Sequence, residues 1–267
     1  MCSVLGVSSS GYYGWLKHRP SKRELSNKVL DNNITAIFNE HKMRYGAPRI
    51  TRALNALDWH CSHNRVARRM KLMNLKAVAK KKFKVTTDSE HSKPIYENVL
   101  NRDFNTTNVN QKWCGDITYI RTDEGWMYLA VIIDMHSRAV IGWSMDKTMK
   151  QELVCNALLM ALYRKKFPAS VIVHSDRGSQ YCSHKYRQLI TNHKLIGSMS
   201  RKGNCWDNAI SESFFHTLKV ELVHQCKYTT RDLAKQSVFQ YIEEYYNRKR
   251  MHSAIDYMTP IEVELAA

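Results

Sequence analysis

Residues 171–219 read VIVHSDRGSQYCSHKYRQLITNHKLIGSMSRKGNCWDNAISESFFHTLK, and this stretch decides the fold. It opens on the apolar run Val171-Ile172-Val173, long enough for a buried strand and too short for a helix. The run ends at His174-Ser175-Asp176, and Gly178 breaks the chain two residues later. An acid just past a buried strand, beside a flexible loop, is a common place for chemistry in an α/β protein. The pattern then predicts a helix over 184–194, a brief strand over 195–200 and a polar loop over 201–208. A second helix follows over 209–223, for which Asp207 or Asn208 is suited as the cap.

That last helix has two faces. Ser211, Phe215, Leu218 and Leu222 recur at helical spacing and make a stripe for the core. Glu212, His216 and Lys219 form a neighbouring stripe, because steps of four and seven residues return to one face. A carboxylate and an ammonium therefore lie about two turns apart on one side. Upstream, Trp113-Cys114-Gly115-Asp116-Ile117-Thr118-Tyr119-Ile120 reads as a strand, and Asp is depleted from strand interiors. Alone, Asp116 reads as a strand start or an exposed edge. Taken with Asp176 and Glu212, it gives an oxygen-rich set suited to Mg²⁺ or Mn²⁺. Two such ions, about 3.5–4 Å apart, can activate an attacking oxygen and stabilise a departing one in phosphodiester displacement.

The motifs Trp113-Cys114-Gly115-Asp116-Ile117-Thr118-Tyr119, His174-Ser175-Asp176-Arg177-Gly178-Ser179-Gln180-Tyr181 and Glu212-Ser213-Phe214-Phe215, with Lys219 seven residues beyond Glu212, closely resemble the DDE transposases. Within them the chain resembles the second-frame (OrfB) product of the insertion sequence 3 family, whose core is related to that of retroviral integrases. The spacing agrees, with 35 residues between Asp176 and Glu212. The resemblance implies an RNase H-like core in which Asp116, Asp176 and Glu212 are catalytic and hold two Mg²⁺ (or Mn²⁺) ions. It also implies that Lys219 contacts element-end DNA.

Charge supports a polyanionic partner. The chain has 41 Lys and Arg against 24 Asp and Glu, a net charge of +17. The excess is concentrated early: residues 1–104 carry +12, leaving +5 for residues 105–267. This suits a DNA-binding module joined to an enzyme core. The seven cysteines lie singly, without a Cys-x-x-Cys pair, which favours reduced thiols in a cytoplasmic, here bacterial and nucleoid-associated, protein. His60, Cys61 and His63 lack a second ligand pair at zinc spacing and read as a loop or helix start. No apolar run approaches the ~20 residues that span a bilayer, so no membrane partner is expected.

The expected organisation has five parts. Residues 1–26 hold a partial helix–turn–helix, and residues 27–84 a basic helix–turn–helix-like domain. Residues 85–110 are a linker, 111–225 the RNase H-like α/β core, and 226–267 a helical extension. In the second part Leu30, Ile34, Ile37 and Phe38 share a helical face, and Pro48 starts a helix carrying Arg49 and Arg52. Ser62 caps a short basic helix over 63–72, and Arg65, Arg68 and Arg69 lie off its apolar face, as in an element that enters the major groove. The run Lys80-Lys81-Lys82-Phe83-Lys84 reads as a phosphate-contacting arm. Arg248, Lys249, Arg250 and His252 offer further phosphate contacts or, equally, a solvated helix end. Asp123 and Asp134 fall in turns and read as structural, and Glu221 leaves the Glu212 helix on another face.

These observations lead to metal-dependent DNA strand cleavage followed by strand transfer. The partners are element terminal repeats and target DNA. Two readings compete: a catalytically idle or truncated copy that occupies element ends and represses transposition, and a structure-selective nuclease of the same fold. The resemblance also leads to the expectation that the chain works as the catalytic part of a longer fusion with an upstream-frame (OrfA) product, and as a homo-oligomer on DNA. Two ends must be held together, and no coiled-coil heptad repeat of useful length occurs here.

Overall fold

The computed structural model describes residues 1–17, 20–78, 94–201 and 205–267. The basic run at 80–84 lies outside these. Two compact units divide the chain, Met1–Ala79 and Lys80–Ala267.

The first unit is all-helical: α1 (Ser9–Leu16), α2 (Lys22–Glu40), α3 (Ala47–Ala56) and α4 (His63–Leu72). Each start has a local cause. The Ser8 hydroxyl accepts from the Gly11 amide, and Ser21 and Glu24 form a reciprocal capping box. Pro48 sits in the first turn of α3, and Ser62 accepts from the Arg65 amide. Leu30, Ile34, Ile37 and Phe38 of α2 are buried with Ile50 and Leu54 of α3 and Val66 and Met70 of α4. α1 buries no residue.

The second unit is a five-stranded sheet of order β3-β2-β1-β4-β5. β1 (Lys112–Thr122), β2 (Gly125–Asp134) and β3 (Val140–Asp146) form an antiparallel meander. β4 (Ile172–Ser175) and β5 (Ile196–Met199) continue it in parallel, reached through α5 (Gln151–Arg164) and α6 (His184–Asn192). Strand alternation sorts the side chains to two faces. Trp113, Ala130, Ile132 and Ile141 face α5 and α6. Cys114, Leu129, Val131 and Ile133 face α7 (Ala209–Glu221) and α8 (Arg231–Phe239). Gly142 lets α5 lie directly on β3, because a Cβ there would come within 2.2 Å of the Ala157 carbonyl oxygen.

Two expected boundaries differ from the structure. The stretch read as a linker is docked on the core over its described C-terminal part. Leu100 is 2% exposed, its amide donates to the Ser198 hydroxyl at 3.1 Å, and the Met199 amide donates to the Glu97 carbonyl at 3.3 Å. The apolar residues of this part (Ile95, Tyr96, Val99, Leu100, Phe104) follow no regular spacing that would reveal this against the polar background. The C-terminal part is equally integral. Tyr228, Ala234 and Val238, then Tyr241, Ile242 and Tyr246 of the π-helical turn Gln240–Tyr246, share one apolar cluster with α7 and the sheet. The last helix, α9 (Pro260–Ala266), is closed by a capping box between Thr259 and Glu262.

Candidate active site

The register of the parallel pair builds the site. Cys114 lies opposite His174 as the last partners of the parallel pair, and Asp116 and Asp176 each follow by two residues, Asp116 within β1 and Asp176 just past the end of β4. Asp116 shares the parity of Cys114 and therefore faces the side of the sheet covered by α7. Glu212 occupies the first turn of α7 and is exposed at the rim, and Lys219 lies two turns on.

Burial holds the Asp116 carboxyl well above the usual carboxylate range, and the neighbouring Asp176 charge adds to it, with a smaller addition from Glu212. Lys219 acts in the opposite direction on Asp116, while burial lowers its own ammonium. This lysine is only 9% exposed, and its Nζ lies 5.0 Å from the centre of the Tyr119 ring. Carboxylates alone, gathered at a partly desolvated place, make a hard-oxygen set that fits a divalent cation. Among the described residues, however, no three acidic, histidine or cysteine side chains converge into a ready shell. The Asp176 charge acts on Asp116 more strongly than that of Glu212, which stands exposed at the rim.

The supports of Asp176 are specific. His174, fully buried, bridges two hydroxyls: Nδ1 meets Ser198 Oγ at 2.9 Å and Nε2 meets Ser200 Oγ at 3.1 Å. Burial pushes its pKa down to about 4, so the imidazole is neutral and joins the ends of β4 and β5. Arg177 Nε donates to the Ser200 carbonyl at 2.6 Å, and the Gly178 amide donates to Asp176 Oδ1 at 2.9 Å. A Cβ at Gly178 would sit 2.9 Å from that same oxygen, so a larger residue there would displace the carboxylate.

Asp207, expected as a cap, is instead a buried hub. It accepts from Asn98 Nδ2 at 2.9 Å, Arg102 Nε at 3.0 Å, the Arg201 amide at 3.0 Å and Arg201 Nε at 3.4 Å. Asn208 takes the N-cap position of α7 without a side-chain cap bond. The hub thus fixes the entry to the Glu212 helix against the stretch 98–102. Asp134 is structural as expected, accepting from the Asn110, His136 and Ser137 amides and from Trp113 Nε1.

The expected basic contacts separate into two groups. Arg250 is corrected: it is 4% exposed and forked onto Glu221, with Nη2 2.8 Å from Oε1 and Nε 3.0 Å from Oε2. Burying the Glu221 carboxylate in α7 requires a paired cation, and this use removes Arg250 from the surface. Arg69 is paired with Asp31 of α2, and Arg65 Nη2 donates to Ser26 and Asn27, so both tie α4 to α2. Arg49 lies over the Tyr45 ring at 5.5 Å. Arg68, Arg52 and Arg248 are exposed. Composition shows a basic helix but not which of its arginines finds a carboxylate elsewhere in the chain.

Comparison with known proteins agrees with this layout. Residues 106–205 and 212–264 match integrase core domain models, and residues 24–83 match an HTH-like domain. The chain is 48% identical to the transposase InsF for insertion sequence IS3A of Escherichia coli (strain K12), over 99% of this chain and 92% of that protein. It is 42% identical to the insertion element IS600 uncharacterized 31 kDa protein of Shigella sonnei, over 97% and 96%. A chain of the simian T-cell lymphotropic virus intasome in complex with PP2A regulatory subunit B56 gamma shares the fold, with TM-score 0.51 and 15% identity over 79% of this chain and 73% of that one. Fold and site thus define a polynucleotidyl transferase with an RNase H-like, integrase-type core and an HTH-like helical region.

The chain belongs to the IS3 family of DDE transposases. An integrase-type core suggests dependence on a divalent metal ion, and the HTH-like region suggests DNA binding. Among the described residues, no helix is long and apolar enough to cross a membrane.

Proposed function

We propose that Asp116, Asp176 and Glu212 form the catalytic centre of this transposase. The observation that carries the reading is that Asp116 and Asp176 each follow the last paired residues of β1 and β4, Cys114 and His174, by two positions, with burial and the Asp176 charge raising the Asp116 pKa. Retaining such repulsion in a core is costly unless a cation resolves it. Two bound Mg²⁺ or Mn²⁺ ions would supply activation of the attacking oxygen and stabilisation of the departing one. Asp116 and Asp176 would provide two of the oxygens, with the Gly178 amide and the His174 bridge steadying Asp176, and Glu212 would turn in from the rim of α7, whose entry Asp207 already holds.

In the cleavage step a water oxygen bonds to phosphorus and the P–O3′ bond breaks, with the released 3′ oxygen leaving as a hydroxyl. In the transfer step that hydroxyl attacks a second phosphodiester and one strand is exchanged for another. No covalent bond to the protein is formed. Lys219, between Asp116 and the Tyr119 face, offers positive charge to a phosphate entering there. Arg68, Arg52 and Arg248 are the candidate phosphate or base contacts, while Arg65 and Arg69 support α4. The substrates on this reading are element terminal repeats and target DNA, handled by a homo-oligomer with the upstream-frame product as fusion or partner. The test is incubation of purified protein with end-labelled element DNA and Mg²⁺. A nicked 3′ end followed by a joined strand is expected. Tight binding without any strand cleavage in Mg²⁺ or Mn²⁺ would favour the repressor reading, and cleavage without joining would favour the nuclease.

A further inference from the structure

A surface beside the acids remains unused by this mechanism. Along β1, β4 pairs with Lys112–Cys114, and among the described residues no strand pairs with β1 on that side beyond Cys114. On the face opposite Asp116, the β1–β2 register sets Tyr119 across from Tyr128 and Arg121 across from Trp126. Tyr119 and Trp126 are 37% and 47% exposed, and their rings meet edge to face at 5.0 Å between centres. Exposed aromatics are unremarkable singly, but a fixed pair flanked by cations is a different object. Arg121 is exposed on the same face, and the Lys219 ammonium lies over the Tyr119 ring. The acids at the hairpin tip are already engaged: Glu124 accepts from the Arg231 amide, and Asp123 lies 3.6 Å from Lys227.

We infer that Tyr119 and Trp126 form a stacking platform for an unpaired base of the DNA strand being processed, with Lys219 and Arg121 engaging the adjoining phosphates. Every base has a π-face, so aromatic platforms next to positive charge take single-stranded nucleotides without regard to sequence. Tyr119 is three strand residues from Asp116, about 10 Å, which places the stacked base within a few nucleotides of the cleaved bond. Lys219 connects the two places, since it acts on the Asp116 charge and on the Tyr119 ring at once. The inference rests on DNA as the substrate and adds a preference for ends that are frayed or opened next to the cleavage point.

The test is equilibrium binding of the full chain in chelator, so that a failure of the acids to cleave has no bearing on the result. Two DNAs of equal length are compared: a fully paired duplex and one with three unpaired terminal nucleotides carrying 2-aminopurine. Wild type should prefer the unpaired end by about tenfold, the size of one base–aromatic stack. Its binding should also quench the 2-aminopurine. Trp126→Ala should lose the preference and the quenching while binding the paired duplex as before, and Trp126→Phe should restore both. Thermal melts of the variants confirm that they are folded. A preserved preference in Trp126→Ala, or equal loss on both DNAs, would overturn the inference. So would a change in oligomeric state with the preference intact, which would make the aromatic pair a contact between copies of the chain.

Discussion

Replacing Arg250 by Ala tests whether the C-terminal part is integral to the catalytic unit. In the structure Arg250 and Glu221 side chains are 5% and 9% exposed, and the pair is joined by three bonds of 2.8–3.1 Å. The Tyr241 hydroxyl donates to Glu221 Oε2 at 2.8 Å. Removing the guanidinium leaves the buried carboxylate without its cation, a loss of about 3–5 kcal/mol. At a urea slope of about 2 kcal/mol per molar, the unfolding midpoint should fall by about 2 M. Urea unfolding of the full chain, followed by tryptophan fluorescence, measures it. Because the lost partner rather than the lost area dominates, a Glu221→Leu/Arg250→Met double variant should recover most of the loss. A midpoint within about 0.3 M of wild type, the behaviour of a surface arginine, would refute the buried-pair argument and return Arg250 to the candidate DNA contacts.

The two arginines of α4 should behave differently: Arg68→Ala should weaken element-end DNA binding by about tenfold with an unchanged melting temperature, whereas Arg69→Ala should lower the melting temperature because its partner Asp31 is on α2. Filter binding and thermal melts of the same samples separate the two outcomes. For Asp207, burial raises the carboxyl, but hydrogen bonds from the Arg201 amide and from Arg102 and Arg201 outweigh it and hold its pKa below the usual range. Its stabilisation is therefore present above the unfolded-state pKa of about 3.9 and lost as pH falls through the lower folded value; Asp207→Asn should flatten that acid-side loss in a pH series of melts. Gly178→Ala should reduce strand cleavage at least tenfold with DNA binding kept, because its Cβ would press on Asp176 Oδ1; gel assays of both properties decide it.

How far the sequence foretold the site differs from residue to residue. Strands, helices and caps were legible where their signals are local, as with Ser62 before α4 in the first unit and the Gly125 hairpin in the second, where φ is +111°. That Asp116 and Asp176 both follow the Cys114–His174 pairing by two residues was legible through motif resemblance alone, since it depends on a parallel register that no local pattern encodes. Pairings across long separations were not legible. Arg250 meets Glu221 29 residues away, Arg69 meets Asp31 38 residues away, and Asp207 gathers Asn98 and Arg102 from over 100 residues upstream. Composition announced each charge but not its partner, and for Arg250, Glu221 and Asp207 tertiary packing used it inside. His174 was visible as part of a motif, but its role as a neutral bridge needs Ser198 and Ser200 from the next strand. The stretch 94–104 failed for a related reason: a segment that contributes only a few apolar contacts to an existing core has no periodicity of its own.

The central claim is that Asp116, Asp176 and Glu212 act as one metal-dependent centre and not as DNA contacts. Single-turnover cleavage of labelled element ends by Asp116→Asn, Asp176→Asn and Glu212→Gln, with DNA binding measured on the same preparations, tests it most directly. Each amide keeps the shape of the acid and removes the charge that a divalent ion requires. The account predicts loss of cleavage by at least a thousandfold for every one of the three, roughly 4 kcal/mol of barrier, with DNA affinity within about twofold of wild type. Near-normal, Mg²⁺-dependent cleavage by any one variant would contradict it.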